Sequence, residues 1–120
     1  MSRAILGVVL ICSSVLLGIN VSESAEFNVG DRDGWNYNVG DWPNGKSFAT
    51  GDVLVFNYAP EEHNVVVVDA AAYNSCGTSP GAVVFTSGND RATLAKGDNY
   101  FLCSFPGHCE QGMKIAVNAA

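Results

Sequence analysis

The chain has 120 residues, is 48% hydrophobic and carries a net charge of −6 at pH 7. That length allows one domain with one modest core. The acidic balance argues against nucleic acid and anionic membranes as partners.

The first element is apolar. Arg3 precedes the run "AILGVVLICSSVLLGI" (residues 4–19), which ends in the small polar stretch "NVSES". A charged start, an apolar centre and small residues at the end form the pattern of a secretory signal peptide. The run is shorter than the ~20 apolar residues a bilayer span requires, and Ser13 and Ser14 interrupt it, so a leader is expected over residues 1–24 rather than an anchor. Cleavage after Ser24 leaves residues 25–120 as one exported domain. Because no hydrophobic tail follows Val117, a glycolipid anchor is not expected either. Loss of Arg3 and Glu23 leaves five basic and eleven acidic side chains and the same net charge. The sequon "NVS" at Asn20 goes with the leader, so N-glycosylation is not expected.

From residue 25 onward, short runs rich in Val, Phe and Tyr alternate with turn formers. "EFNV" (26–29) reads as a strand, and "GDRDGWNYNVGDWPNGKSF" (30–48) as a Gly- and Asp-rich loop in which Trp35 and Trp42 are expected core plugs. "VLVFNY" and "HNVVVV" read as strands, "DAAAYNSC" (69–76) as the one short helix, and "AVVFT", "RATLA", "NYFLCSF" and "MKIAVN" as further strands. Such spacing, with "GD", "NG", "PG" and "SGN" between runs, predicts a single all-β sandwich or barrel. The pairs Asp31/Asp33 and Glu61/Glu62 read as solvated surface.

The stretch "NYFLCSFPGHCEQGMKIAV" (99–117) concentrates the chemistry, with Cys103, His108, Cys109 and Met113 inside eleven residues. Pro106, Gly107 and Gly112 prevent a helix, so these side chains can meet only in a folded loop. Fully extended, the step from Cys103 to His108 would span about 17 Å, whereas donors to one metal lie within ~4 Å of one another, so a turn at "FPGH" is required. A thiolate, an imidazole and a thioether make a soft set that suits copper and lacks the carboxylates of calcium, magnesium or hydrolytic zinc sites. His63, in "YAPEEHNVVVV", is the only other histidine and supplies the missing imidazole. His63, Cys103 and His108 around one ion, with Met113 as a weak axial donor, is the blue-copper electron-transfer arrangement. Cys12 leaves with the leader, so three cysteines remain. One disulfide then leaves one thiol over, as an intermolecular bridge, a reactive group or a metal ligand. If Cys103 is on the metal, Cys76 is left to bridge Cys109.

"WPNGKSFATGDVLVFNYAPEEHNVVVV", "YNSC" and "YFLCSFPGHCEQGMKIAVNA" together resemble the phytocyanins, in their plantacyanin or basic blue protein branch, from about Phe27 to Ala120. The resemblance implies one copper ion on His63, Cys103, His108 and Met113 and a disulfide between Cys76 and Cys109. It implies a cupredoxin-like Greek-key β-sandwich of seven or eight strands with one or two short helices. Met113 speaks against the stellacyanin-like branch, which has Gln there, and the four retained ligands speak against the nodulin-like group. The expected function is one-electron transfer by Cu(I)/Cu(II) cycling, without enzymatic turnover, since four protein donors leave no open metal position. The rival is a wall or signalling protein in which copper is structural. His108, in its Pro-Gly loop, is expected to be the exposed ligand through which the electron passes. An extracellular or cell-wall location, a monomer and an unidentified small-molecule or protein redox partner complete the expectation. Members of the branch are typically basic; this chain is acidic, which bears on the partner and not on the metal site.

Overall fold

Alternation specifies the last strand: in "KIAVNA", Ile115, Val117 and Ala119 are buried while Ala116 and Asn118 face solvent, the two-residue period of a strand with one face in a core. The structure, a computed structural model, describes residues 23–120. The leader expected over residues 1–24 lies, but for its last two residues, outside them. Among the described residues the strands are β1 (Glu26–Asn28), β2 (Val53–Asn57), β3 (Val65–Val68), β4 (Val83–Phe85), β5 (Asn89–Thr93), β6 (Gly97–Leu102) and β7 (Lys114–Ala119). One helix, α1 (Ala70–Ser75), follows β3, and a single 3₁₀ turn occupies Asp31–Asp33.

The strands form two sheets, of order β1-β2-β5 and β4-β3-β6-β7. β1 runs parallel to β2 and the other pairs are antiparallel. This is a Greek-key sandwich with seven strands among the described residues, within the seven or eight that the resemblance implies. Its core holds Trp35, Leu54, Phe56, Val65, Phe101 and Ile115 from both sheets and the long loop. Trp35 meets Phe56 edge-on at 5.0 Å, and Phe56 meets Phe101 at 5.2 Å. Trp35 is thus the core plug expected. Trp42 is only partly buried and turns its indole N–H to Asp31 Oδ1, at 3.1 Å.

Most strand ends shift by one to three residues from the sequence reading, and two of the shifts have a visible cause. The expected strand "RATLA" starts earlier, at Asn89, because Asp90 faces inward and is buried. Its carboxylate accepts from Ser87 N (3.2 Å) and Ser87 Oγ (2.5 Å). The Tyr58 hydroxyl bonds the same carboxylate and also reaches the Phe85 carbonyl at 3.1 Å, joining the two sheets. Burial and the bond to Asp90 push the Tyr58 phenol up to about 12. The expected strand "NYFLCSF" stops at Leu102, because Cys103 N–H turns to the Met113 carbonyl at 3.1 Å and opens the loop that follows.

α1 falls where it is expected, between two caps. Asp69 accepts from Ala72 N at 2.9 Å, and Cys76 ends the helix in the left-handed conformation with φ 55. Ala72 packs with Val66, Val68, Leu102 and Cys109 in a second, smaller cluster. Among the described residues no helix is long and apolar enough to cross a membrane.

Candidate metal centre

His63 arrives from a tight turn. The N–H groups of Glu62 and His63 both donate to the Ala59 carbonyl, at 2.9 and 3.1 Å, which sets His63 two residues ahead of β3. Its neighbour Asn64 fastens this turn to the strand end beside it. The Asn64 side chain donates to Ser104 Oγ at 2.8 Å and accepts from Ser104 N at 2.8 Å. The Asn64 carbonyl accepts from Trp35 Nε1 at 2.8 Å. Asn64 is buried, and both ends of its side-chain amide are paired. The residues following His63 and Cys103 in sequence are therefore bonded directly to each other.

Cys103, His108 and Met113 come from one folded loop between β6 and β7. Its first turn is the one expected at "FPGH": His108 N donates to the Phe105 carbonyl at 3.1 Å. Pro106 and Gly107 occupy the central positions, with Gly107 at φ +81, as a type II turn requires. Met113 N then donates to the His108 carbonyl at 3.0 Å, and Met113 O receives Cys103 N at 3.1 Å. These two bonds tie Met113 to both neighbouring candidates. The loop is also held from outside by the disulfide Cys76–Cys109, whose Cα atoms are 5.6 Å apart. Among the described residues Cys103 is the free cysteine, and it is buried.

The three donors converge. His63 Nδ1 lies 3.1 Å from His108 Nδ1, and Cys103 Sγ lies 3.4 Å from His108 Nδ1. One ligand atom from each residue falls within 4.8 Å of the others. Nitrogen donors about 2.0–2.1 Å from one ion, at tetrahedral to trigonal angles, would be roughly 3.3–3.6 Å apart, so the two imidazoles stand a few tenths of an ångström closer than that and near enough to share a single ion. The trio contains no carboxylate, and Met113 is fully buried in the same core cluster as Cys103. A soft thiolate–imidazole site of this composition suits a late first-row ion over magnesium or calcium. His63 is buried, and that burial, followed by the neighbouring His108 and against Glu62, lowers its pKa, a shift in the direction of the neutral ring that a metal needs.

His108 is partly exposed, but its outer nitrogen is not bare. Tyr37 OH lies 3.0 Å from His108 Nε2, and the Tyr37 ring stands edge-on to both His63 and His108, with centroids 5.5 and 4.9 Å away. Phe105 flanks the same imidazole at 5.7 Å. The sequence reading does not find Tyr37, Asn64 or Ser104. Asn64 and Ser104 carry a weak signal, adjacency to His63 and Cys103. Tyr37 carries none, being 71 residues from His108 in a loop with no periodicity.

The Plastocyanin-like domain profile matches residues 32–113. The chain is 54% identical over 116 residues to chemocyanin of Lilium longiflorum, covering 97% of this chain and 90% of that protein. It is 52% identical over 118 residues to a basic blue protein of Arabidopsis thaliana, covering 98% and 91%. Among solved structures, cucumber basic protein, a blue copper protein, superimposes with a TM-score of 0.79 at 54% identity, over 80% of this chain and all of that one.

Proposed function

The chain belongs to the plastocyanin-like domain family, in the plantacyanin branch of the phytocyanins, and from that membership we propose that it is an exported type 1 copper protein that carries single electrons. In this reading His63, Cys103 and His108 would hold one copper ion, with the Met113 thioether as a fourth, weaker donor. The observation that carries it is the convergence of two imidazoles and a lone buried thiol, while the other two cysteines of the domain are joined in a disulfide.

Bound copper supplies the one-electron Cu(I)/Cu(II) couple. The chain's own part is to keep the donors still. Cys103 and Met113 are bonded backbone to backbone, Met113 to His108, and Asn64 to Ser104, so neither imidazole nor the thiolate needs to move when the charge of the site changes. Burial of Cys103 and Met113 excludes water from the inner side. With four protein donors no open position remains for a substrate, so the site is an electron carrier and not a catalyst. His108, the partly exposed member of the trio, would be the side on which an electron is exchanged, and the partner is a small molecule or a protein meeting a monomer.

Export follows from the leader over residues 1–24. Ala25 N donates to Asp52 Oδ1 at 2.9 Å, and Ala25 O accepts from Val53 N at 2.9 Å. Cleavage after Ser24 would turn that N–H into a charged amine facing a buried carboxylate, a stronger bond than the amide makes. The destination of this domain is extracellular, at the cell wall. The copper-loaded domain of residues 25–120 should bind one copper per chain and give one reversible one-electron wave in voltammetry. A catalytic current with dioxygen or superoxide would contradict the carrier reading.

A further inference from the structure

A metal on Nδ1 of His108 leaves Nε2 of the same ring protonated and facing outward, and the direction of that N–H fixes how the ring is presented to the metal. Here the outward nitrogen meets a protein group, the Tyr37 hydroxyl at 3.0 Å. We propose that Tyr37 is a positioning residue for His108: its phenol oxygen accepts the Nε2–H bond, holds the imidazole with Nδ1 aimed at His63 and Cys103, and raises the electron donation of the ring to copper. The inference rests on the copper reading above and adds a residue to it.

Tyr37 is itself built into place from three sides. Two residues before it, Trp35 N donates to the Asn57 carbonyl at 2.9 Å, and the Trp35 indole is bonded to Asn64, the neighbour of His63. On the other side Gly112, at φ +98, lets the ligand loop close on the Tyr37 backbone. A Cβ on Gly112 would stand 3.1 Å from Tyr37 O, a contact that requires one segment to give by a few tenths of an ångström. The ring packs edge-on against both histidines. The phenol therefore reports on the ligand loop and on the His63 turn together. An oxygen accepting from the far nitrogen of a ligating imidazole makes that imidazole a better donor, and the higher charge of Cu(II) benefits more than Cu(I).

The test is Tyr37→Phe, which keeps the ring and its packing and removes the oxygen alone. In the diamagnetic Cu(I)-loaded wild type, ¹H–¹⁵N spectra should show a protected His108 Nε2–H resonance with a cross-peak to the Tyr37 ring. In the variant that proton should exchange at least tenfold faster. Loss of the bond should weaken the preference for Cu(II) about three- to tenfold, a rise in potential of ~30 to 59 mV at ~59 mV per tenfold for one electron. A change in packing alone would leave the wild-type Nε2–H unprotected. An unprotected Nε2–H in the wild type, or an unchanged potential in a folded, copper-loaded variant, would overturn the proposal. If Tyr37→Phe does not fold, the wild-type resonance alone decides. Failure of the underlying reading looks different: wild-type His63 and His108 would then show no shift on adding Cu(I), and the inference would fall with it.

Discussion

In the proposed copper site, Met113 is the residue whose single sulfur atom would tune the potential. It is fully buried and bonded through its backbone to both Cys103 and His108, so a side chain of similar length can replace it without moving the loop. A thioether is a soft, weak donor that does little for Cu(II), whereas an amide oxygen is harder and stabilises it. Met113→Gln should therefore lower the reduction potential and leave the other three donors in place. A preference for Cu(II) of ~1.4 to 3 kcal/mol corresponds to roughly 60 to 130 mV for one electron. Voltammetry of both proteins in one buffer checks it, and an unchanged or raised potential would make Met113 core packing. At this scale the sequence exposes His63, Cys103, His108 and Met113 because soft donors are scarce and three of them are crowded into eleven residues. It hides Tyr37 and the Asn64–Ser104 pair, whose roles exist only once distant segments meet.

Two connections tie elements together, one holding the ligand loop to the sandwich and one closing the β1–β2 edge. The first runs from the left-handed end of α1 through Cys76 to Cys109, which directly follows His108. It closes a loop of 33 residues, a constraint worth about 3 to 4 kcal/mol in the chain-entropy account. Cys76→Ser should cost ~2 to 5 kcal/mol in denaturant titration and leave a thiol at Cys109 that a disulfide reagent labels, while the copper-loaded folded fraction keeps its colour. Peptide mapping that placed Cys103 in a disulfide would refute the pairing and the copper site together. The second connection fastens β1 and the turn before β2 through Asp52, which is buried and accepts from Ala25 N and Ala49 N, both at 2.9 Å. Those bonds, Ala25 first, hold its carboxyl below the usual aspartate range. A carboxyl with a depressed folded pKa contributes stability in full above its unfolded value of about 3.9 and loses it as the pH falls through the lower folded value. Asp52→Asn should accordingly be less stable than wild type near neutral pH, and its stability should fall less steeply below about pH 4. Parallel acid limbs in the two denaturation profiles would show that Asp52 is not the titrating group. The strands themselves are legible as runs of Val, Phe and Tyr between turn formers. Their neighbours are not: nothing in "EFNV" announces that it pairs parallel with β2, because alternation names a buried face and not a partner strand.

Over the whole molecule, two small sheets bury one core, and the candidate metal donors sit where the turn before β3 meets the loop between β6 and β7. The all-β class is readable from the regular spacing of short apolar runs. The closeness of His63 to a loop 40 residues later is readable only as a requirement of the donor count, and the Asn64–Ser104 bonds are what satisfy it. The net charge of −6 is borne partly near this end, by exposed Glu61 and Glu62 just ahead of His63 and by Asp41, which shares a shallow hollow of about 220 Å³ with Tyr37. A field of that sign favours the approach of cationic partners and is screened by salt. The central claim is that the Cys103 thiolate is bound to copper. The visible spectrum of the copper-loaded domain tests it most directly: the oxidised protein should be intensely blue through charge transfer from Cys103 Sγ to Cu(II), and Cys103→Ser should be colourless. A strong visible band that survives in the variant would contradict the account.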